Sequence, residues 1–451
     1  MDLRIETQLA EFAVGTRYVN IPEDVVEFAK SLALKTVAGM VAGAAKPAGR
    51  KFARLIRDRR LNEEVGVIGG GFKTSLWEAV QLHQFFAHAS ELEDDKFGEG
   101  FSWDITVIPL LFPLAEKLRL SGKALIEAIV VGLEVDARIG LFPSDRSGVK
   151  VISHTGAVGP AVGAAKGLCL GIKETISALG LAMSGPPTLL QAFGTDAHYF
   201  QSSLYSLQGI MAAELAKEGM TAYADIAEFL CDLLGKERVV PAKIVEGLGK
   251  EWLFRQIGIK KYPCCFYTQR AIDAALELRK EHNLSYEQVD TIEVHGGLGD
   301  EIVNRPEPKT LGDLQFSLQH LVGTAMLDGD VNEDHTTDDA VVEPRLKEAR
   351  SKVKVVIHAD WPPAPMTAPS RVVIKTLDGR EFSRERMHEI GSPEEPLSRE
   401  QFRELYVKFT GGILPPDQID RTADAILNLE KLNDVEELMD ILTFRHRIPR
   451  I

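Results

Sequence analysis

The chain has 451 residues, of which 45% are hydrophobic and 26% charged, and carries a formal net charge of -14. That length exceeds one ordinary core and implies two domains, or three, of soluble globular composition. Acidity spread over the surface without a basic patch argues against a nucleic-acid partner, because phosphate neutralisation needs clustered cations; a small anionic substrate stays open.

The N-terminus MDLRIETQLAEF lacks a basic start followed by an apolar core, so no signal peptide is expected. The apolar stretch from Ser31 to Ala45 is interrupted by Lys35 and is too short to span a bilayer, so no membrane partner is expected. The four cysteines, Cys169, Cys231, Cys264 and Cys265, show no metal-knuckle spacing and suit a reducing cytoplasm. Neither a metal nor a cofactor is expected.

NIPEDVVEFAKSLALKTVAGMVAGA opens with Asn20 as a cap, Pro22 in the first turn, and Glu23 and Asp24 at the positive end of the helix dipole. Val25, Phe28, Ala29, Leu32 and Ala33 recur at helical spacing. GVIGGGFKT, residues 66 to 74, lacks the ending of a phosphate loop and is read as a turn before a helix. Helical spacing continues through SLWEAVQLHQFFAHA, TVIPLLFPLAEKLRLSGKALIEAIVVGLEVDARIG, GAVGPAVGAAKGLCLG and SLQGIMAAELAKEG. Within this run Gly159, Gly163, Ala164 and Gly167 let helices approach closely.

The period changes near Gly258. VDTIEVHGG, KVKVVIHAD and RVVIKTLDGREFSRE alternate as strands do, with Asp378-Gly379 as a hairpin turn and AIDAALELRKEHN as a helix among them. After GSPEEPL the helical period returns, with Ser398 and Gln401 spaced as a capping box. The expected fold is mainly α with an inserted α+β domain. Residues 1–257 and 396–451 form a discontinuous helical domain, and 258–395 form the smaller one.

HASELEDDKFGEGFSWDITVIP, His88 to Pro109, concentrates Glu91, Glu93, Asp94, Asp95, Glu99 and Asp104. It lacks the alternating oxygen ligands of a calcium loop. Crowded carboxylates raise one another's pKa, which suits proton transfer. IKKYPCCFYTQRAIDAALEL places Lys260, Lys261 and Arg270 at the change of domain, where a cation can hold a carboxylate. The alternative for these three is a solvated strand end or linker.

KKYPCC followed by AIDAALEL resembles the MmgE/PrpD family, which includes 2-methylcitrate dehydratase, cis-aconitate decarboxylase and iminodisuccinate epimerase. AHASELEDD, VGPAVGAAKGLCLG, GIMAAELAKEG, VNRPEPKTLGDLQFSLQHLVGTAMLDGDV and GSPEEPLSREQF agree with it in order and spacing, over nearly the whole chain. The resemblance implies a large helical domain made of both chain ends, an inserted α+β lid and a homodimer. It also implies a cofactor-independent active site between domain and lid for small carboxylates. Asp94, Asp95 and Lys260 keep family positions. Family histidines fall on Ser102, Ser153 and Gln269, and a family lysine falls on His198, with His154 beside Ser153.

The expected catalytic residues are therefore Asp94, Asp95, His154 and His198. The expected substrate-binding residues are Lys260, Lys261, Ser102, Ser153, Tyr199, Gln269 and Arg270. For His154 and His198 the plain alternative is a packing histidine. The expected activity is that of a lyase or isomerase abstracting a proton beside a carboxylate-bearing carbon, by dehydration, decarboxylation or epimerisation. Three lost histidines, with Phe97, Trp103, Phe200, Phe266 and Tyr267 nearby, point to a less charged, more apolar substrate than 2-methylcitrate. The alternative function is a catalytically altered relative that binds or scaffolds.

Overall fold

The computed structural model describes residues 4–96, 102–140, 156–185, 195–363 and 366–443. The chain divides into two compact units. The larger is Met1–Glu93, Glu99–Gln256 and Ser398–Ile451, and the smaller is Asp94–Gly98 and Ile257–Leu397. The smaller unit thus takes in the paired acids, a segment that composition alone puts with the helices.

The larger unit is helical because its apolar residues recur every three or four positions. The helix Glu23–Ala45 is buried along almost all of its length, and the helices Leu76–Ala89, Trp103–Leu118, Gly122–Ile139, Val158–Gly167 and Asp196–Lys217 pack around it and one another. Its start differs from the sequence reading. Pro22 rather than Asn20 precedes the helix, and Tyr18–Asn20 forms a short 3-10 turn of its own. Gly159 fits where no side chain could, since a Cβ there would overlap the Cβ of Asp136. Residues 66 to 74 form a small antiparallel hairpin of β1 (Val65–Gly66) and β2 (Lys73–Thr74) ahead of the helix Leu76–Ala89.

Trp103–Leu118 carries Pro109 and Pro113 inside a helix. Pro113 has no N–H for the carbonyl of Pro109, four residues back. His83 fills the gap. Its Nε2 accepts from the Ile68 amide at 2.8 Å, so its Nδ1–H donates to the Pro109 carbonyl at 3.3 Å. Burial drives the His83 pKa down to about 3, which keeps the ring neutral.

The last helices return to this unit. The helix Arg399–Thr410 begins with Ser398 and Gln401 in a capping box, and Arg399 reaches Glu27 at 3.2 Å. Lys30 meets Glu430 at 2.9 Å, and Phe402 packs edge-on to Phe28. Among the described residues no helix is long and apolar enough to cross a membrane.

The smaller unit is a four-stranded sheet covered by helices. Strands β3 (Val289–Gly297), β4 (Val353–His358), β5 (Ser370–Thr376) and β6 (Glu381–Arg386) lie in the order β4-β3-β5-β6. The β3–β4 pair is parallel and the other two are antiparallel. Ile292, Val294, Val372 and Ile374 face Ala274, Leu278 and Val322 in one apolar core. Asp378-Gly379 turns β5 into β6, with Gly379 at φ +84°.

Candidate active site

Asp94, Asp95, Lys260, Lys261, Gln269 and Arg270 all belong to the smaller unit. Asp95 and Gly258 form an antiparallel bridge: the Asp95 amide donates to the Gly258 carbonyl at 3.1 Å, and the Gly258 amide returns a bond at 2.8 Å. Two residues on, the Lys260 amide donates to Oδ1 of Asp94 at 2.9 Å. The Ile259 amide in turn donates to the Gly391 carbonyl at 3.0 Å. Three backbone runs, 94–95, 258–260 and 389–391, therefore lie side by side. Asp94 and Lys260 are fully buried in this strip.

The rest of the KKYPCC loop holds itself in place. Oε1 of Gln269 accepts from the amides of Lys261 and Tyr262 at 3.1 and 3.2 Å, and its Nε2 donates to the Tyr262 and Cys264 carbonyls. The amide is committed to shaping the loop. Lys261 reaches Oδ1 of Asp273 at 2.7 Å, an oxygen that also accepts from the Tyr262 hydroxyl at 2.9 Å. Arg270 is buried. It donates to the Ala368 and Met387 carbonyls at 2.7 and 3.3 Å and lies 3.4 Å from Asp300. Burial lowers the Arg270 pKa and raises that of Asp300, and their mutual attraction opposes both shifts.

His198, Tyr199 and Ser102 belong to the larger unit. His198 and Tyr199 begin the helix Asp196–Lys217 and are buried. The His198 ring lies 4.2 Å from the ring of His88, at the end of the helix Leu76–Ala89. His88 contacts the Ser202 hydroxyl through Nδ1 at 2.6 Å and lies 3.9 Å from Glu93 through Nε2. Burial raises the Tyr199 pKa well above its ordinary value, and the charges of Glu91 and Glu93 add to that. Glu91 is buried with a left-handed backbone at φ +57°, uncommon for a residue with a side chain. Lys35, itself buried, donates to the Leu92 carbonyl and anchors this turn. Ser102 sits buried just before the helix Trp103–Leu118. His154 and Ser153 lie outside the described residues, as does Phe97.

The structure thus groups two sets of side chains, one in each unit. His88, Ser202 and Lys35 were not singled out from the sequence. His88 stands six residues before Asp94 in the acidic segment, which was its only signal; Lys35 showed only as a charge inside an apolar stretch, and Ser202 carried no signal. The rings expected near the site differ in placement. Trp103 is buried and donates to the Phe254 carbonyl at 3.1 Å, Phe266 is buried, and Phe200 is exposed. Among the described residues no three His, Cys, Asp or Glu side chains are grouped so as to hold a metal ion.

The family model of the MmgE/PrpD N-terminal domain matches residues 7–229, and that of the MmgE/PrpD C-terminal domain matches residues 262–431. A cis-aconitate decarboxylase of Aspergillus terreus is 25% identical over 99% of this chain and 97% of its own length. The cis-aconitate decarboxylase-like protein oryM of Aspergillus oryzae is 24% identical over 97% of both chains. A cis-aconitate decarboxylase of Mus musculus is 26% identical over 74% of this chain and 72% of its own.

Proposed function

The chain belongs to the MmgE/PrpD family, and on that premise we propose that it is a cofactor-independent lyase that breaks a bond beside a carboxylate-bearing carbon of a small organic acid. That it is an enzyme of the lyase or isomerase class follows from the family and from relatives named as decarboxylases along nearly the whole chain. A purely binding or scaffolding role is not favoured. Decarboxylation is the leading reaction, and dehydration shares its demand for a proton exchanged at carbon.

The observation that carries this reading is the bond from the Lys260 amide to Asp94, which ties the retained acids to the retained lysine across 166 residues of chain. In the proposed roles Asp94 and Asp95 exchange protons and Lys260 holds a substrate carboxylate. His198, with His88 against it, supplies an imidazole able to take up or release a proton near neutrality. Gln269 supports the reading of a less charged substrate. Its amide is committed to the loop, so the family histidine at this place has no cationic successor there. We further propose a homodimer in a reducing cytoplasm, in keeping with cysteines that are all free thiols.

The test is incubation in D₂O with cis-aconitate, 2-methylcitrate and iminodisuccinate, beside alkyl- and aryl-substituted mono- and dicarboxylates, followed by NMR. CO₂ loss, elimination or deuterium entry into at least one acid is expected, and no change in any of them would remove the proposal. Efficient turnover of the small polycarboxylates alone would remove the apolar refinement. With an active acid in hand, His198→Ala should chiefly lower kcat, and Lys260→Ala should chiefly raise KM.

A further inference from the structure

The strip of backbone that carries Asp94, Asp95 and Lys260 holds one more acid, for which neither the sequence nor the proposed roles give any use. Glu389 precedes Gly391, whose carbonyl accepts from Ile259, so it lies beside the run 258–260. It is completely buried, and neither carboxyl oxygen has a hydrogen-bond partner on another residue. A Cβ on Gly258 would overlap Oε1 of Glu389 and stand 2.6 Å from Cζ of Phe266. The carboxyl is therefore seated against bare backbone next to an aromatic ring.

Structural acids in this unit look different. Asp273 accepts from Lys261, Tyr262 and the Ile390 amide, and Asp300 accepts from the Gly297 amide at 2.9 Å and lies beside Arg270. A buried carboxyl that serves only packing is costly without such bonds, and an apolar side chain would do the same work. A carboxyl kept in that position suits a group whose task is to carry a proton.

We propose that Glu389 is the proton-holding acid of this site, protonated in the resting enzyme and exchanging that proton with the reacting carbon of the substrate. The proposal rests on the lyase reading above. In decarboxylation the bond to the leaving carboxylate breaks, CO₂ departs and the electron pair stays on carbon. That pair forms the new C–H bond with the proton from Glu389, which is left as a carboxylate and regains a proton from water. Burial pushes the Glu389 carboxyl up to about 7, and Asp273 and Glu394 add to this. Arg270 and the residue's own backbone amide pull it down, so the group is poised near neutral pH.

The first experiment needs no substrate. The infrared spectrum of the wild-type chain minus that of Glu389→Gln should show a protonated-carboxyl band that fades as pH rises through about 7, the bands of Asp136 and Glu134 being common to both chains. Its absence from the difference spectrum overturns the proposal. Its presence in a wild type that converts no acid supports the proton-holding group and rejects only the reaction assigned to it.

The second experiment uses whichever acid the wild type converts. Glu389→Gln should lower kcat about a hundredfold, leave KM within about twofold, and abolish the neutral limb of the kcat–pH profile. Wild-type kcat and profile in folded Glu389→Gln overturn the proposal, as does full activity in Glu389→Gln beside an inactive Glu389→Leu, which marks a space-filling role. Should Glu389→Gln not fold, Glu389→Asp replaces it. That variant should keep a titrating band and lose rate, and unchanged kinetics there also count against the proposal.

Discussion

Asp136 in the helical unit and Glu389 in the smaller unit are both completely buried acids, with opposite surroundings. Asp136 accepts from the Thr106 hydroxyl at 2.6 Å and from the Gly159 amide at 3.0 Å, binding three helices at one point. Glu389 has no such bonds. Burial raises both carboxyls, Asp136 to about 8 and Glu389 to about 7. A raised pKa therefore does not by itself separate an acid that holds a fold together from one that does chemistry. The inventory of hydrogen bonds does.

The largest effect should come from breaking the structural member of the pair. Asp136→Ala leaves the Gly159 amide buried without its acceptor, leaves the Thr106 hydroxyl only the Trp103 carbonyl at 3.0 Å, and opens a void beside the close approach at Gly159. The expected cost is about 3 kcal/mol or more, read as a lower urea midpoint with unchanged slope. Asp136→Asn keeps the shape and one acceptor and should cost about 1 kcal/mol. Equal losses in the two variants would mean that the hydrogen bonding both disturb, not cavity formation, sets the cost.

The pH dependence of stability should be next in size, and its sign is fixed. In the folded chain Asp136 and Glu389 keep protons that the unfolded chain releases at the ordinary values of 3.8 and 4.5. Their contribution is fully present below those values and is lost as pH rises through about 7 and about 8. Glu134, buried beside Arg138, shifts in the same direction because of burial. The urea midpoint should therefore fall between pH 7 and pH 8, above the range in which the buried neutral His83 and His320 add stability with rising pH, and the fall should be shallower in Asp136→Asn. A midpoint that rises across this window would contradict the assigned directions.

The two units also differ in how far the sequence revealed them. Spacing predicted the helices because each buries one face, and alternation predicted β3 to β6 because their sheet is covered by helices on one face. The capping pair Ser398 and Gln401 was visible because it is local. The resemblance singled out Asp94, Asp95 and Lys260, which the structure brings onto one strip of backbone. Partnerships across long stretches of chain were not legible: His88 with His198 joins two helix ends, and Glu389 meets Gly258 only because 389–391 runs beside 258–260. Gln269 shows the same limit from the other side. The resemblance puts a family histidine at its position, but its four hydrogen bonds to the loop are set by a backbone path that spacing does not encode.

The smallest effect should come from Glu389 itself, and it sharpens the comparison most. Glu389→Gln breaks no hydrogen bond to another residue, because the carboxyl makes none. At pH 6 the wild-type group is mainly protonated, so a neutral amide of nearly the same shape should change stability by less than about 1 kcal/mol. At pH 8 the wild type must either bury a charge or hold a proton against the solvent, and the amide does neither. The variant should therefore gain on the wild type as pH rises, with a thermal midpoint equal or slightly lower at pH 6 and higher at pH 8. Asp136→Asn should also gain with pH, but from a deficit, because it surrenders bonds that Asp136 makes. A Glu389→Gln chain that loses stability relative to the wild type on going from pH 6 to pH 8 would show that the carboxylate is held by favourable contacts, and the contrast with Asp136 would collapse.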